Sequence, residues 1–197
     1  LHCSSAASDV YKRQKKDHKT EDFIVTEGYM DVVMLSEYGI NNAVASLGTT
    51  FSQNHMNLMF KLRRKITFCF DSDEAGLKAA WRALQISLKN VVDDKTVRFL
   101  FLPEGYDPDS FVKENGEQEF YKKLDRAMVL ESFVFQYLKR GKKLDSPEDI
   151  RQIIFEFKKI LPLVTSEMLK ETLMTKFSSE LNINKEIFLK EDKPEKK

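Results

Sequence analysis

The sequence predicts an α/β fold, a mainly parallel sheet flanked by helices, followed by a small all-α helical subdomain. Three observations lead there. Short continuous apolar runs alternate with amphipathic stretches through the first half of the chain. The connections between them are only a few residues long. After Gly116 the pattern becomes helical throughout. Strands alternating with helices need crossovers, which means parallel pairing with helices on both faces. Strands that are apolar throughout, rather than on alternate positions, are buried on both sides.

The elements follow in chain order. Residues 23–26 (FIVT) form a short apolar run that stops at Glu27-Gly28. Residues 29–38 place Met30, Val33, Met34 and Tyr38 on one helical face, with Gly39 as the stop. Residues 42–46 (NAVAS) read as a second strand closed by a turn containing Gly48, and Ser52 caps a helix reaching about Arg63. Residues 66–70 (ITFCF) are the strongest strand signal and end at Asp71-Ser72-Asp73. A long helix from Glu74 to about Lys89 directs Leu77, Ala80, Trp81, Leu84 and Leu88 inward. Residues 96–101 (TVRFLF) form a fourth strand, followed by a turn at 103–106 and by Asp107-Pro108-Asp109. Beyond Gly116, residues 117–139 read as amphipathic helix. Ser146-Pro147 is a strong helix start, with proline at the first helical position. Ile150, Ile153, Ile154, Phe157 and Leu161 form one apolar stripe, and Leu169, Leu173, Phe177 and Leu181 another.

Composition bounds the function. The chain has 197 residues, 42% of them hydrophobic, enough for a folded core. Its 32 basic and 31 acidic side chains leave a net charge of +1, so any nucleic-acid role rests on local sites rather than bulk charge. Cys3 and Cys69 are the only cysteines, which excludes a disulfide scaffold or a zinc-ligating cysteine set within the chain. No apolar run is long enough to cross a bilayer and nothing resembles a secretory signal, so the expectation is a soluble cytoplasmic chain with no membrane partner. The chain begins at Leu1, and residues 9–14 (DVYKRQ) look like the translation of a sequencing adaptor. Residues 1–19 are therefore expected to be an artefact or a disordered leader, in which His2, Cys3 and His18 carry no ligand role. Residues 20–118 are the expected sheet domain, 119–189 the helical subdomain, and 190–197 (KEDKPEKK) a disordered tail.

The placement of the acids is the functional signal. Glu27, Asp71, Asp73, Asp107 and Asp109 all follow the carboxyl end of an expected strand. In an open parallel sheet such ends share one edge, where ligands bind. Carboxylates gathered there repel and raise one another's pKa unless a cation sits among them. Oxygen ligands alone suit a hard ion, magnesium or manganese. Asp71 and Asp73, two apart, point to the same side of an extended segment. Asp31, four residues after Glu27 near a helix start, is a further ligand or a supporting acid. Taken singly, Asp73 and Asp107 are ordinary helix N-caps. Their joint occurrence in this order is what makes the signal specific.

The runs EGYMDV (27–32), ASLGT (45–49), FDSDEAG (70–76), FLP (101–103) and Asp107-Pro108-Asp109 resemble the TOPRIM fold, and within it the bacterial DnaG-type DNA primases, over residues 23–111. The resemblance implies an enzyme that makes short RNA primers on a single-stranded DNA template. It would join ribonucleoside triphosphates and release pyrophosphate, using magnesium or manganese. It implies Glu27, Asp71 and Asp73 as catalytic and metal-ligating residues, with Asp107, Asp109 and Asp31 completing the cluster. It also implies a replicative helicase partner, contacted through a carboxyl-terminal domain, and a zinc-binding amino-terminal domain. Neither domain is encoded in this stretch, so the chain alone is expected to have weak or no activity.

Lys78, Arg82 and Arg98 are candidates for contact with phosphates or template, set against ordinary solvated charge. Arg63-Arg64-Lys65 is a short basic cluster of the same ambiguity. Trp81 reads as packing, His55 as a surface helix residue, and Cys69 as an inert core thiol. Two other readings compete with the primase. One is another TOPRIM enzyme, a nuclease or topoisomerase; the other is a non-catalytic replisome module.

Overall fold

The computed structural model describes residues 22–45 and 51–190. The expected leader, the turn containing Gly48, and the tail from 191 onward lie outside them, as do His2, Cys3 and His18. Among the described residues, no helix is long and apolar enough to cross a membrane.

Strands β1 (Asp22–Thr26), β2 (Ala43–Ala45), β3 (Lys65–Phe70), β4 (Thr96–Phe101) and β5 (Met128–Val129) form a five-stranded sheet in the order β2-β1-β3-β4-β5. The first four run parallel, and β5 is antiparallel to β4. The expected strands are all present, and both sheet faces are buried, as their continuous apolar character requires. On one face Phe68 stands directly across from Phe99, and Phe70 from Phe101. Their rings lie 5.6 Å and 6.2 Å apart, and Phe51 meets Phe68 edge-on at 5.0 Å. Directly opposed aromatic pairs of this kind hold register as well as burying area.

The helices of the sheet unit are α1 (Tyr29–Glu37), α2 (Gln53–Leu62), α3 (Glu74–Leu88), α4 (Pro108–Asn115) and α5 (Glu117–Asp125). Residues of α1, α4 and α5 join Ile24, Cys69 and Leu100 in one buried cluster. Helices α2 and α3 pack against each other and against β3. Ser52 caps α2 as expected: its hydroxyl accepts from the His55 N–H, and the His55 ring accepts the Ser52 N–H in return. His55 thus closes a capping box rather than simply lying on the surface.

Three features depart from expectation. On α1 the buried side chains are Val32 and Leu35, while Met30 of the expected apolar face is exposed and Val33, Met34 and Tyr38 are half-buried, because the helix turns its other side to the sheet. Residues 117–139 do not form one continuous amphipathic run. α5 ends at Asp125, β5 intervenes, and α6 (Leu130–Lys139) follows. A two-residue strand carries no periodicity of its own, and only its pairing to Arg98 and Phe99 creates it. The compact units divide between Leu130 and Glu131, later than residue 118. The reason is that Phe120 and Leu124 of α5 are buried in the sheet unit's core.

The second unit contains most of α6 together with α7 (Pro147–Ile160) and α8 (Glu167–Leu181). Ser146 caps α7 by accepting the Asp149 N–H, with Pro147 at the first helical position. Leu169, Leu173, Phe177 and Leu181 are all buried, while Ile150 and Ile154 of the other stripe remain half-buried. At the centre Phe157 stacks on Phe177 at 3.7 Å between centroids, with Phe135 and Phe188 edge-on to the pair.

Phe157→Ala removes a ring with no solvent exposure and should cost about 3–5 kcal/mol in denaturant unfolding. Phe155→Ala, on the same helix but 52% exposed, should cost at most about 1 kcal/mol. Equal losses would contradict the packing described for this unit.

Candidate active site

The parallel strands β1, β3 and β4 deliver the acids to one edge. Val25 pairs with Phe68, so Glu27, just past β1, comes level with Phe70 and almost reaches Asp71. The backbone N–H of Asp71 lies near enough to stabilise the Glu27 carboxylate. Asp71 and Asp73 share an open cleft of about 290 Å³ with the turn at 104–107, so Asp107 belongs to the same cleft. Asp31 lies close enough to Asp107, Asp71 and Asp109 for all three charges to act on it. The structure thus brings Glu27, Asp31, Asp71, Asp73, Asp107 and Asp109 to one rim.

Local chemistry explains how each acid is held. Asp31 folds back over the start of α1, and its Oδ2 accepts the Gly28 N–H at 3.0 Å. A Cβ on Gly28 would lie 2.9 Å from that oxygen, so a side chain here would make the Asp31 carboxylate give way. Asp73 caps α3 through Oδ1, which accepts the Gly76 N–H at 2.7 Å. Gly76 itself lies against the end of β3, where a Cβ would stand 2.3 Å from the Asp71 carbonyl oxygen. The close approach of α3 to Asp71 therefore needs a residue without a side chain. Asp107 caps α4, its Oδ1 accepting from the Ser110 N–H at 2.8 Å and the Ser110 hydroxyl at 2.6 Å. In both capping aspartates these bonds use Oδ1. A carboxylate has lone pairs on two oxygens, so a cap can also be a cation ligand.

The electrostatics are those of crowded like charges. Burial, then Asp71, Asp73 and Asp31, push the Glu27 carboxyl above its ordinary range, against the stabilising Asp71 N–H. Asp31 is pushed up to about 6, mainly by burial, then by Asp107, Asp71 and Asp109, with the Gly28 N–H opposing. Asp71 is raised by burial and by Asp73 and Asp107. Asp107 goes the other way, held below its ordinary value by the Ser110 hydroxyl and N–H. Cys69, fully buried under the rim, has its thiol pushed up by burial and stays neutral.

Do these residues suit a divalent cation? Asp109 Oδ1 is buried with no hydrogen-bond partner, a costly state for a carboxylate oxygen that a cation would relieve. The donors at the rim are all oxygens, with neither histidine nor an accessible thiol among them, which matches a hard ion. Among the described residues, no three acids, histidines or cysteines are grouped closely enough to enclose an ion as they stand. The donor chemistry is nonetheless that of a hard-ion site.

The basic candidates are placed differently. Lys78 and Arg82 are exposed on α3 and, four residues apart, share a side of the helix. Arg98 lies in the amino-terminal half of β4, away from the carboxyl edge, and its Nη1 donates to the Asp125 carbonyl at 3.2 Å. The guanidinium of Arg63 lies over the Phe23 ring at 5.2 Å. Trp81 is half-buried on α3. Glu104 and Tyr106, which line the cleft, were not singled out from sequence. The available signal was their position in the turn between β4 and the Asp107-Pro108 cap.

Comparison with known proteins bears on the whole arrangement. Residues 24–112 match the family model described as Toprim-like. A DNA primase of Pseudomonas aeruginosa is 49% identical over 130 residues, covering 66% of this chain and 20% of that protein. The crystal structure of a DNA primase domain from Pseudomonas aeruginosa superimposes with a TM-score of 0.85 at 38% identity, covering 91% of this chain and 56% of the other. A DnaG primase catalytic domain bound to single-stranded DNA gives a TM-score of 0.81 at 36% identity, over 87% and 55%. The chain therefore spans only a part of each protein it matches.

Two variants test the site's construction. Gly76→Ala should cost about 1–3 kcal/mol in denaturant unfolding, because backbone at Asp71 must shift to admit the methyl; an unchanged midpoint would contradict the close approach. For Asp31, the folded carboxyl near 6 holds a proton that the unfolded chain, near 3.8, has lost. Its contribution to stability therefore falls as pH rises from about 4 to about 6. Asp31→Asn should raise the melting temperature of the metal-free protein at pH 7 and leave it little changed at pH 4. An equal shift at both pH values would rule out charge as the cause.

Proposed function

We propose that this chain, which carries a Toprim-like domain and is homologous to part of the catalytic core of bacterial DNA primases, supplies the metal-binding half of a primer-synthesising centre. The reaction joins ribonucleoside triphosphates into a short RNA primer on a single-stranded DNA template. The observation that carries this reading is the convergence of Glu27, Asp71 and Asp73 from two strand ends onto a rim shared with Asp107. The solved relative bound to single-stranded DNA supports the template partner.

In this reading Glu27, Asp71 and Asp73 hold magnesium or manganese, and Asp107, Asp109 and Asp31 complete its surroundings. When bound, such an ion neutralises triphosphate charge and makes the primer 3′-hydroxyl more acidic. The protein's part is placement. The Asp71 N–H stabilises the Glu27 carboxylate. The caps at Asp73 and Asp107 fix one oxygen of each and leave the other outside the capping bonds. Without a cation the acids repel, so the rim is poised to take up positive charge together with the phosphates it escorts. Lys78 and Arg82, exposed on α3, are placed to add attraction for phosphate or template. Arg98, bonded to the Asp125 carbonyl, serves instead to tie β4 to the end of α5. At 20% of its Pseudomonas relative's length, this stretch shares the work with the rest of such an enzyme.

The direct test replaces the matching segment of a bacterial primase with residues 22–190 of this chain. The hybrid should synthesise primers on single-stranded DNA. Glu27→Gln or Asp71→Asn within it should lower the rate about 100-fold or more while leaving DNA binding intact. A folded, DNA-binding hybrid that makes no primers would contradict the assignment and favour a non-catalytic role.

A further inference from the structure

The cleft between the Asp71–Asp73 segment and the turn at 104–107 is not acidic throughout. Its lining includes one aromatic ring, Tyr106. That ring is fixed from two sides. Its hydroxyl donates to Glu114 Oε2 at 2.7 Å, and it packs against Phe111 in a T-shaped contact, 5.6 Å between centroids, on the buried cluster of the sheet unit. Beside it, Gly105 turns the chain at φ +85, and it lines the same open cleft. The volume of about 290 Å³ is near the lower end for small-molecule sites and suits a single nucleoside better than a duplex.

A nucleotide has two chemically distinct ends. Phosphates belong with a cation among carboxylates. A neutral, flat base belongs on an aromatic face, where stacking is tolerant of which base is present. The cleft offers both kinds of surface. We propose that Tyr106 is a positioning residue whose ring supports the base of a nucleotide while the phosphates lie at the acidic rim. This rests on the nucleotide-handling reading above and adds the place of the base. Because Tyr106 is held before any ligand arrives, little ordering is left to do on binding. The Glu114 bond orients the ring and makes no contact with the ligand in this scheme.

The test compares two ligands on the whole chain loaded with manganese: ATP, which has a base, and inorganic tripolyphosphate, which has none. Calorimetric affinities are measured for the parent, Tyr106→Leu and Tyr106→Phe, with thermal melts confirming that each is folded. Tyr106→Leu should weaken ATP about 10-fold and leave tripolyphosphate unchanged, and Tyr106→Phe, which keeps the ring and its packing on Phe111 but loses the Glu114 bond, should weaken ATP less than Tyr106→Leu does. If Tyr106→Leu weakens both ligands equally, or neither, the stacking role is wrong. Should the parent bind tripolyphosphate in a manner lost in Asp71→Asn while Tyr106→Leu leaves ATP untouched, only this inference fails. A parent that binds neither ligand overturns it together with the reading it rests on.

Discussion

Parallel strands end on a common edge, and whatever residue follows each strand is forced into the company of the others. In this chain those residues are carboxylates. β1 and β3 are paired in register from Asp22 to Val25, so Glu27 has no course but toward Asp71. The resulting repulsion is visible in Glu27, Asp31 and Asp71, each held above the ordinary acid range by burial and by its neighbours. Such a gathering of negative charge is what the proposed divalent cation would offset. The rest of the sheet unit can be read as the means of holding that edge.

Three small features do most of the holding. Gly76 lets α3 start against the Asp71 carbonyl, so the Asp-x-Asp segment is pinned between strand and helix. The Gly28 N–H holds the Asp31 carboxylate back onto the chain that carries Glu27. The caps at Asp73 and Asp107 turn side chains that would otherwise be free rotors into groups of known direction. The two interpretations of these aspartates, helix cap and cation ligand, are thus not rivals. Capping is what preorganises a carboxylate for a ligand role, at no cost in the second oxygen.

Much of this was legible beforehand, for physical reasons that differ by element. The four parallel strands announce themselves because strands buried on both faces must be apolar at every position. The edge occupied by the acids then follows from topology alone. The long helix after Asp73 and the one after Ser146 are marked by caps whose chemistry is local. What escaped was non-local. β5 exists only because Met128 meets Phe99. The boundary of the sheet unit moves to Leu130 because Phe120 and Leu124 are buried there. Arg98 looked close to the rim in sequence, yet its strand position and its bond to the Asp125 carbonyl take it elsewhere. Gly76 was visible as part of a motif, but its reason, a Cβ 2.3 Å from a carbonyl oxygen, needs three-dimensional contact to appear.

The central claim is that acids from separate segments serve one cation. Paramagnetic broadening by manganese tests it most directly, since the effect falls off steeply with distance from the ion. Backbone amide resonances of the isotope-labelled chain would be followed as substoichiometric manganese is added. The signals of residues 27–31, 71–73 and 107–109 should disappear together, ahead of the rest of the chain. Broadening confined to one of these segments, or spread evenly over the protein surface, would contradict it.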